Sequence, residues 1–348
     1  MSRFPAARRV IVSGLDARAY PAAVIEVGRL SAPVWREPFG RLTYDPDAPS
    51  CEPTTIFDLA SLTKVIATTS IAMRLVARKT IELDAPAAPF VPEFTRGDRG
   101  SISIRHLLTH SSGLPAHARL WETASGRDAF ARAIAELRLE RLPGAQSVYS
   151  DPGFMLLGFA LEHAARTTLD EMFQPLAGEL GDIWFRPAAA LLDRIAPTEQ
   201  DPWRGRLLRG EVHDENAAAL GGVAAHAGLF GTAAAVGTFA RLVLRTFRES
   251  TPLGSPELMR EFATRSRVPN SSRALGWDTM LPTSSCGTRL SPTAIGHTGF
   301  TGTSLWIDVE RDLYVVFLTN RVHPTRDNNA LAGLRPKVHD AVVSDLEL

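Results

Sequence analysis

The sequence predicts an α+β fold, with an antiparallel sheet built from both chain ends, flanked by helices, and a mostly helical lobe inserted between them. Strand-like runs that are short, β-branched and bounded by Gly or Pro fall near both ends. Between them, apolar residues recur at helical spacing. The 348 residues, 45% of them hydrophobic, suit two lobes or one large mixed domain. The expected division is a sheet lobe from residues 1–75 plus 265–348 and a helical lobe from 76–264, with a cleft between them.

Taken in order, residues 8–14, 22–30 and 40–44 read as strands joined by turns. From Asp58 the pattern turns helical through "LTKVIATTSIAMRLVARK", with Asp58 or Ser61 as cap. "SIRHLLTHSSGLP" reads as a capped short helix ending at Gly113 and Pro115, and "DAFARAIAELRLE", "GFMLLGFALEHAAR" and "AAAVGTFARLVLRTF" have helical periodicity. "IGHTGFTGTSLWIDVERDLYVVFLTN" reads as a hairpin turning at Glu310–Asp312, and a last helix is expected over "NALAGLRPKVHDAVVSDL".

Formal net charge is zero, so no global field draws the chain to nucleic acid or an anionic membrane. The longest charge-free run, Ala217 to Ala240, is too weakly apolar to span a membrane. No signal-peptide pattern opens the sequence, because Asp16 and Arg18 interrupt it, and a cytoplasmic location is expected. Cys51 and Cys286 lack metal-like spacing and read as reduced thiols.

Of 38 basic residues only Lys64, Lys79 and Lys337 are lysines, and Lys64 stands in an apolar run three positions after Ser61. Residues i and i+3 share a helix face. A serine hydroxyl needs a partner to take its proton, and a buried lysine can be one. Alone, Ser-x-x-Lys is a weak signal, since Lys64 could equally snorkel to water.

Two further motifs follow in order: "SVYSDPGF" at 147–154 and "IGHTGFTGTSLW" at 295–306. With them the sequence resembles the penicillin-recognising serine hydrolases, in the branch of class C β-lactamases, D-alanyl-D-alanine carboxypeptidases and related esterases. "ISIRHLLTHSSGLP", "GEVHDENAAALGGVAAHAGLFGT" and "LDAPAAPFVPEF" look like the same family, and the likeness covers roughly residues 20 to 325.

The resemblance implies a β-lactamase/transpeptidase-like fold and an acyl-enzyme mechanism on a small ester, amide or β-lactam, without cofactor or metal. Ser61 would be the nucleophile, Lys64 its proton partner and Tyr149 a proton relay. The N–H groups of Ser61 and Phe300 would form the oxyanion hole, beside His297, Thr298 and Gly299. Whether Lys64 or Tyr149 is the main base stays open. Two positions depart from the family pattern. Asp151 stands where Asn is common, which implies a pair with Lys64 and a raised lysine pKa. His297 replaces the lysine of Lys-Thr-Gly and holds a carboxylate less well, which favours a neutral ester or an atypical amide. An alternative alignment of Ser150-Asp151-Pro152 with the class A Ser-Asp-Asn lacks its glutamate motif, with Glu179 the nearest candidate.

Asp214, Glu215 and Asn216 read either as a substrate loop at the cleft mouth or as caps for the next helix. His106 and His110, at i and i+4, have Leu107 where a zinc helix carries Glu, and no third ligand, so His110 is expected to bond a loop and fix the Ser111–Gly113 turn instead. The rival functions are a non-catalytic acyl-binding homologue and a cell-wall carboxypeptidase or class C β-lactamase.

Overall fold

In chain order the computed structural model, which describes residues 4–94, 97–269 and 271–347, begins with α1 (Pro5–Asp16), β1 (Ala22–Gly28), β2 (Pro33–Gly40) and β3 (Phe57–Asp58). A π-helical turn, Lys64–Thr69, runs into α2 (Ser70–Ala77), followed by α3 (Ile104–Leu108), α4 (Arg127–Glu136), α5 (Asp151–Ala165) and α6 (Leu169–Leu180). Next come β4 (Ile183–Phe185), β5 (Gln200–Asp201), β6 (Arg206–Leu207), α7 (Glu215–Ala219), β7 (Leu229–Gly231), α8 (Ala233–Thr246) and α9 (Pro256–Ala263). The chain closes with β8 (Asp278–Thr279), β9 (Ile295–Thr298), β10 (Ser304–Asp308), β11 (Leu313–Thr319) and α10 (Ala330–Asp345).

The main sheet is antiparallel with strand order β2-β1-β11-β10-β9-β8, so the N-terminal strand β1 pairs with the last strand β11, Val24 opposite Leu318. The expected sheet from both chain ends is present, with helices on both faces. Along β1, Ala22 and Val24 enter one core, and Ala23, Ile25 and Val27 enter the other, under α1 and α10. Burial on both faces explains why these strands read as continuous apolar runs.

One charge is locked into this sheet. Glu26 is fully buried, bonded by the Tyr314 hydroxyl at 2.7 Å and paired with Arg36 and Arg241. A Cβ at Gly237 of α8 would lie 1.9 Å from a Glu26 oxygen, so glycine is what lets the helix approach the strand. α8, inside the range expected for the helical lobe, therefore packs on β1 and β11.

Three local expectations are corrected. Residues 8–14 form the middle of α1, not a strand: Pro5 sits in its first turn and Ala7, Ile11 and Gly14 bury one face, so the helical period outweighs the β-branched residues. The second strand is 33–40 rather than 40–44. It carries Pro33 and Pro38, which an edge strand tolerates. The helix expected from Asp58 begins later, because Ala60 takes a positive φ of 45° and Lys64–Thr69 is π-helical. Ser70 Oγ donates to the Val65 carbonyl at 3.2 Å across that widened turn. Cys51 and Cys286 are both buried and unpaired. Among the described residues no helix is long and apolar enough to cross a membrane.

Candidate active site

The segment that carries Ser61 is held from several sides. Asp58 is buried: one carboxylate oxygen accepts the Ala60 N–H at 2.8 Å and the other the His213 N–H at 2.7 Å. Burial outweighs these bonds and raises its pKa. Leu59 N–H donates to Leu229 O of β7, and Thr63 Oγ1 accepts the Leu229 N–H in return.

The turn between β9 and β10 docks on the same segment. Thr301 Oγ1 donates to Asp58 O at 2.7 Å and Thr303 Oγ1 to Leu59 O at 3.0 Å. A Cβ at Gly299 would meet Thr303 Oγ1 at 2.1 Å and Leu59 O at 2.6 Å. Among the described residues, neither the Ser61 nor the Phe300 N–H donates to another protein group. Both residues line the same cavities.

Lys64 is fully buried. An ammonium has three N–H donors, and three acceptors surround this one: Ser61 Oγ at 3.0 Å, Asp151 Oδ1 at 2.7 Å and His226 O at 2.9 Å. Burial works to lower its pKa, but the Asp151 charge, with Tyr149 beside it, outweighs burial and holds the lysine above its ordinary value. The pairing implied by an Asp at position 151 is thus present. Asp151 is likewise opposed by burial, yet the Lys64 ammonium and a bond from His117 Nδ1 at 3.1 Å hold it well below the usual carboxylate range.

Asp151 is placed by the N-terminus of α5, where Ser150 is the cap: its Oγ accepts the Gly153 N–H and donates to Pro115 O. Tyr149, one residue earlier, interacts with Lys64 and Ser61, and the Lys64 ammonium lies 4.9 Å from its ring centre. Burial raises the phenol's pKa against the pull of Lys64, with Asp151 adding to the rise. The His110 ring lies tilted against Tyr149, centroids 4.5 Å apart, and accepts the Ser150 N–H at its Nδ1, at 3.0 Å. It bonds a loop, but the tyrosine loop rather than the Ser111–Gly113 turn it was expected to fix. His106 is occupied elsewhere, in a capping box with Ser103 at the start of α3.

His297 on β9 is buried, its Nδ1 bonded to Thr298 O at 2.8 Å and its Nε2 without a partner among the described residues. Burial, then Arg273 and Lys64, push its pKa well below the ordinary histidine value, so it is neutral at pH 7. Phe300 forms a half-exposed rim, sandwiched between His213 and Arg321.

Asp214, Glu215 and Asn216 line the second cavity, of about 410 Å³, and also serve as caps and braces. Asp214 caps α7 through the Ala217 N–H and bonds His226 Nε2 at 2.8 Å, which steadies the carbonyl that receives Lys64. Glu215 pairs with Arg326, and Asn216 bonds Ala118 O and the Trp121 N–H.

Sequence reasoning did not find His117, Arg273, Arg321 or Arg335, all of which line the first cavity beside Ser61, of about 360 Å³. They come from four separate segments, and with 38 basic residues, almost all arginine, no local pattern singles three of them out.

Comparison with known proteins agrees with this architecture. A relative in Escherichia coli (strain K12), provisionally named a D-alanyl-D-alanine carboxypeptidase, is 31% identical over 307 residues, 77% of this chain and 70% of the relative. The N-acetylmuramyl-L-alanine amidase of Bacillus subtilis (strain 168) is 30% identical over 319 residues, 80% of this chain and 72% of its own. The solved structure of EstCE1, a hydrolase with promiscuous acyltransferase activity, shares the fold with a TM-score of 0.78 at 20% identity, over 97% of both chains. The beta-lactamase family model matches residues 7–339, and the chain belongs to that family.

Proposed function

We propose that the protein is a serine hydrolase that cleaves a small ester or amide through an acyl-enzyme on Ser61. The observation that carries this reading is the Lys64 ammonium 3.0 Å from Ser61 Oγ, with Ser61 and Phe300, whose N–H groups are unengaged among the described residues, lining the same cavities. Once the coupled Tyr149–Lys64 pair has given up one proton to solvent, Ser61 Oγ attacks the acyl carbon and its proton passes to that pair. The two N–H groups meet the developing oxyanion, an effect worth about 3–4 kcal/mol per donor. The proton then goes to the leaving oxygen or nitrogen, and water releases the acyl group by the same steps in reverse order.

The names of the relatives, a carboxypeptidase and an amidase, favour amide bonds of peptide-like molecules among the substrates. The cleft of this reading lies between a sheet unit and a helical unit. Burst kinetics with p-nitrophenyl butyrate and a chromogenic cephalosporin test it. The wild type is expected to show an ester burst, and Lys64→Met is expected to slow acylation by about 10²–10⁴-fold. An unchanged burst in that variant overturns the reading, and a rate greater with the cephalosporin than with the ester would favour the β-lactamase alternative.

A further inference from the structure

The cavity of about 360 Å³ beside Ser61 is lined by Arg273, Arg321 and Arg335, and the charges are poorly compensated. Arg335 projects from α10 with no hydrogen bond or ion pair among the described residues, and its Nε is buried without a partner. Arg321 follows β11. Its Nε donates to Phe300 O and its Nη1 to the Arg326 and Asn328 carbonyls, which leaves Nη2 without a partner among the described residues. The nearest acid that acts on it, Glu199, is already bonded by His213 and Arg326. Arg273 lies over the Tyr149 ring at 5.0 Å, and its guanidinium has a 3.9 Å contact with Asp278 as its one ion pair among the described residues.

Isolated guanidinium groups in a half-buried cavity are costly unless an anion completes them. Their field is felt around the site. Burial and then Arg321 lower Arg335 to about 10. His297, which holds the family's lysine position, contributes no charge of its own. Cations reach this cavity from other segments instead.

We infer that this cavity receives a leaving group bearing two negative charges, held by Arg273, Arg321 and Arg335. One carboxylate would satisfy one guanidinium fork, whereas three cations against a distant Asp278 and a Glu199 already engaged by His213 and Arg326 leave room for two negative charges. The inference rests on the serine mechanism proposed above. When Ser61 Oγ bonds to the acyl carbon, the bond to the leaving atom breaks, that atom keeps the electron pair and takes the serine proton, and the dianion departs into the arginine cavity.

The test uses hippuryl esters of phenol, 3-hydroxybenzoate and 5-hydroxyisophthalate, which share one acyl group and carry zero, one and two carboxylates. Wild-type kcat/KM is expected to rise at each step, by roughly tenfold or more per charge-assisted contact. The ratio of the two-carboxylate to the neutral ester is expected to fall by about tenfold or more in Arg335→Met and in Arg273→Gln. A wild type that prefers the single-carboxylate ester, or a ratio unchanged in both variants, overturns the inference. Calorimetry on Ser61→Ala with isophthalate, phenyl phosphate and benzoate separates this result from the chemistry, because binding needs no nucleophile. Either dianion binding at least about tenfold tighter than benzoate supports the subsite, and the preferred one distinguishes a spread from a compact dianion. Equal binding of all three contradicts the subsite even if Ser61 proves to be the nucleophile.

Discussion

The Asp151 carboxylate accepts the Lys64 ammonium at 2.7 Å, closer than Ser61 Oγ at 3.0 Å. With His226 O as the third acceptor, every proton of the ammonium is placed, and the cationic form is the one this pocket is built around. The same carboxylate raises the pKa of both Lys64 and Tyr149. Asp151→Asn removes that charge, so either group gives up its proton more readily, whichever is the base. The alkaline-rising limb of the acylation rate is therefore expected to move down by about one pH unit or more. A pH profile of burst rates checks this; a limb that stays put or moves up contradicts it.

Stability should respond to acid through the same residue. Asp151 has a folded pKa well below the ordinary 3.8, so it binds a proton less readily folded than unfolded. Its contribution is fully present above that ordinary value and is lost as pH falls below it. His117, raised above 6.5, has the opposite sign: its contribution is present below that value and fades as pH rises through its folded pKa. Asp151→Asn is expected to cost about 3 kcal/mol near neutrality, since it strands a buried cation. The gap between wild type and variant should narrow as pH falls below about 4, read as Tm or denaturant midpoint across pH.

The turn after β9 is expected to be intolerant of a single methyl group. In Gly299→Ala the new Cβ would press on Thr303 Oγ1 and on the Leu59 carbonyl, the contacts that register Phe300 against Ser61. Overpacking of this kind costs about 1–3 kcal/mol. Displacing one oxyanion donor costs about 10²–10³-fold in acylation. Thermal melts and acylation rates measured together separate the two effects, and a variant that acylates at the wild-type rate would remove Phe300 from the oxyanion hole.

Much of the candidate site was legible because the residues proposed for it follow local spacing. Ser61 and Lys64 are three residues apart, Tyr149 directly precedes a cap and a helix start, and His297-Thr298-Gly299 ends a strand. The strands β1 and β11 were legible from their apolar content. What escaped depended on tertiary context. "VIVSG" is β-branched, yet the face made by Ala7, Ile11 and Gly14 packs it as a helix on the sheet. The edge strand β2 was hidden by prolines that only an edge permits. The π-helical turn after Ser61 leaves no mark in residue type, and the three arginines line one cavity only because separate segments, α10 among them, bring them there.

The central claim, that Ser61 carries the acyl group, is tested most directly by intact-protein mass spectrometry during turnover of p-nitrophenyl butyrate. The wild type should gain one butyryl mass within the burst and lose it as the ester is consumed, while Ser61→Ala should show neither adduct nor burst. An adduct of the same mass on Ser61→Ala, or turnover at the wild-type rate without Ser61, would contradict the account.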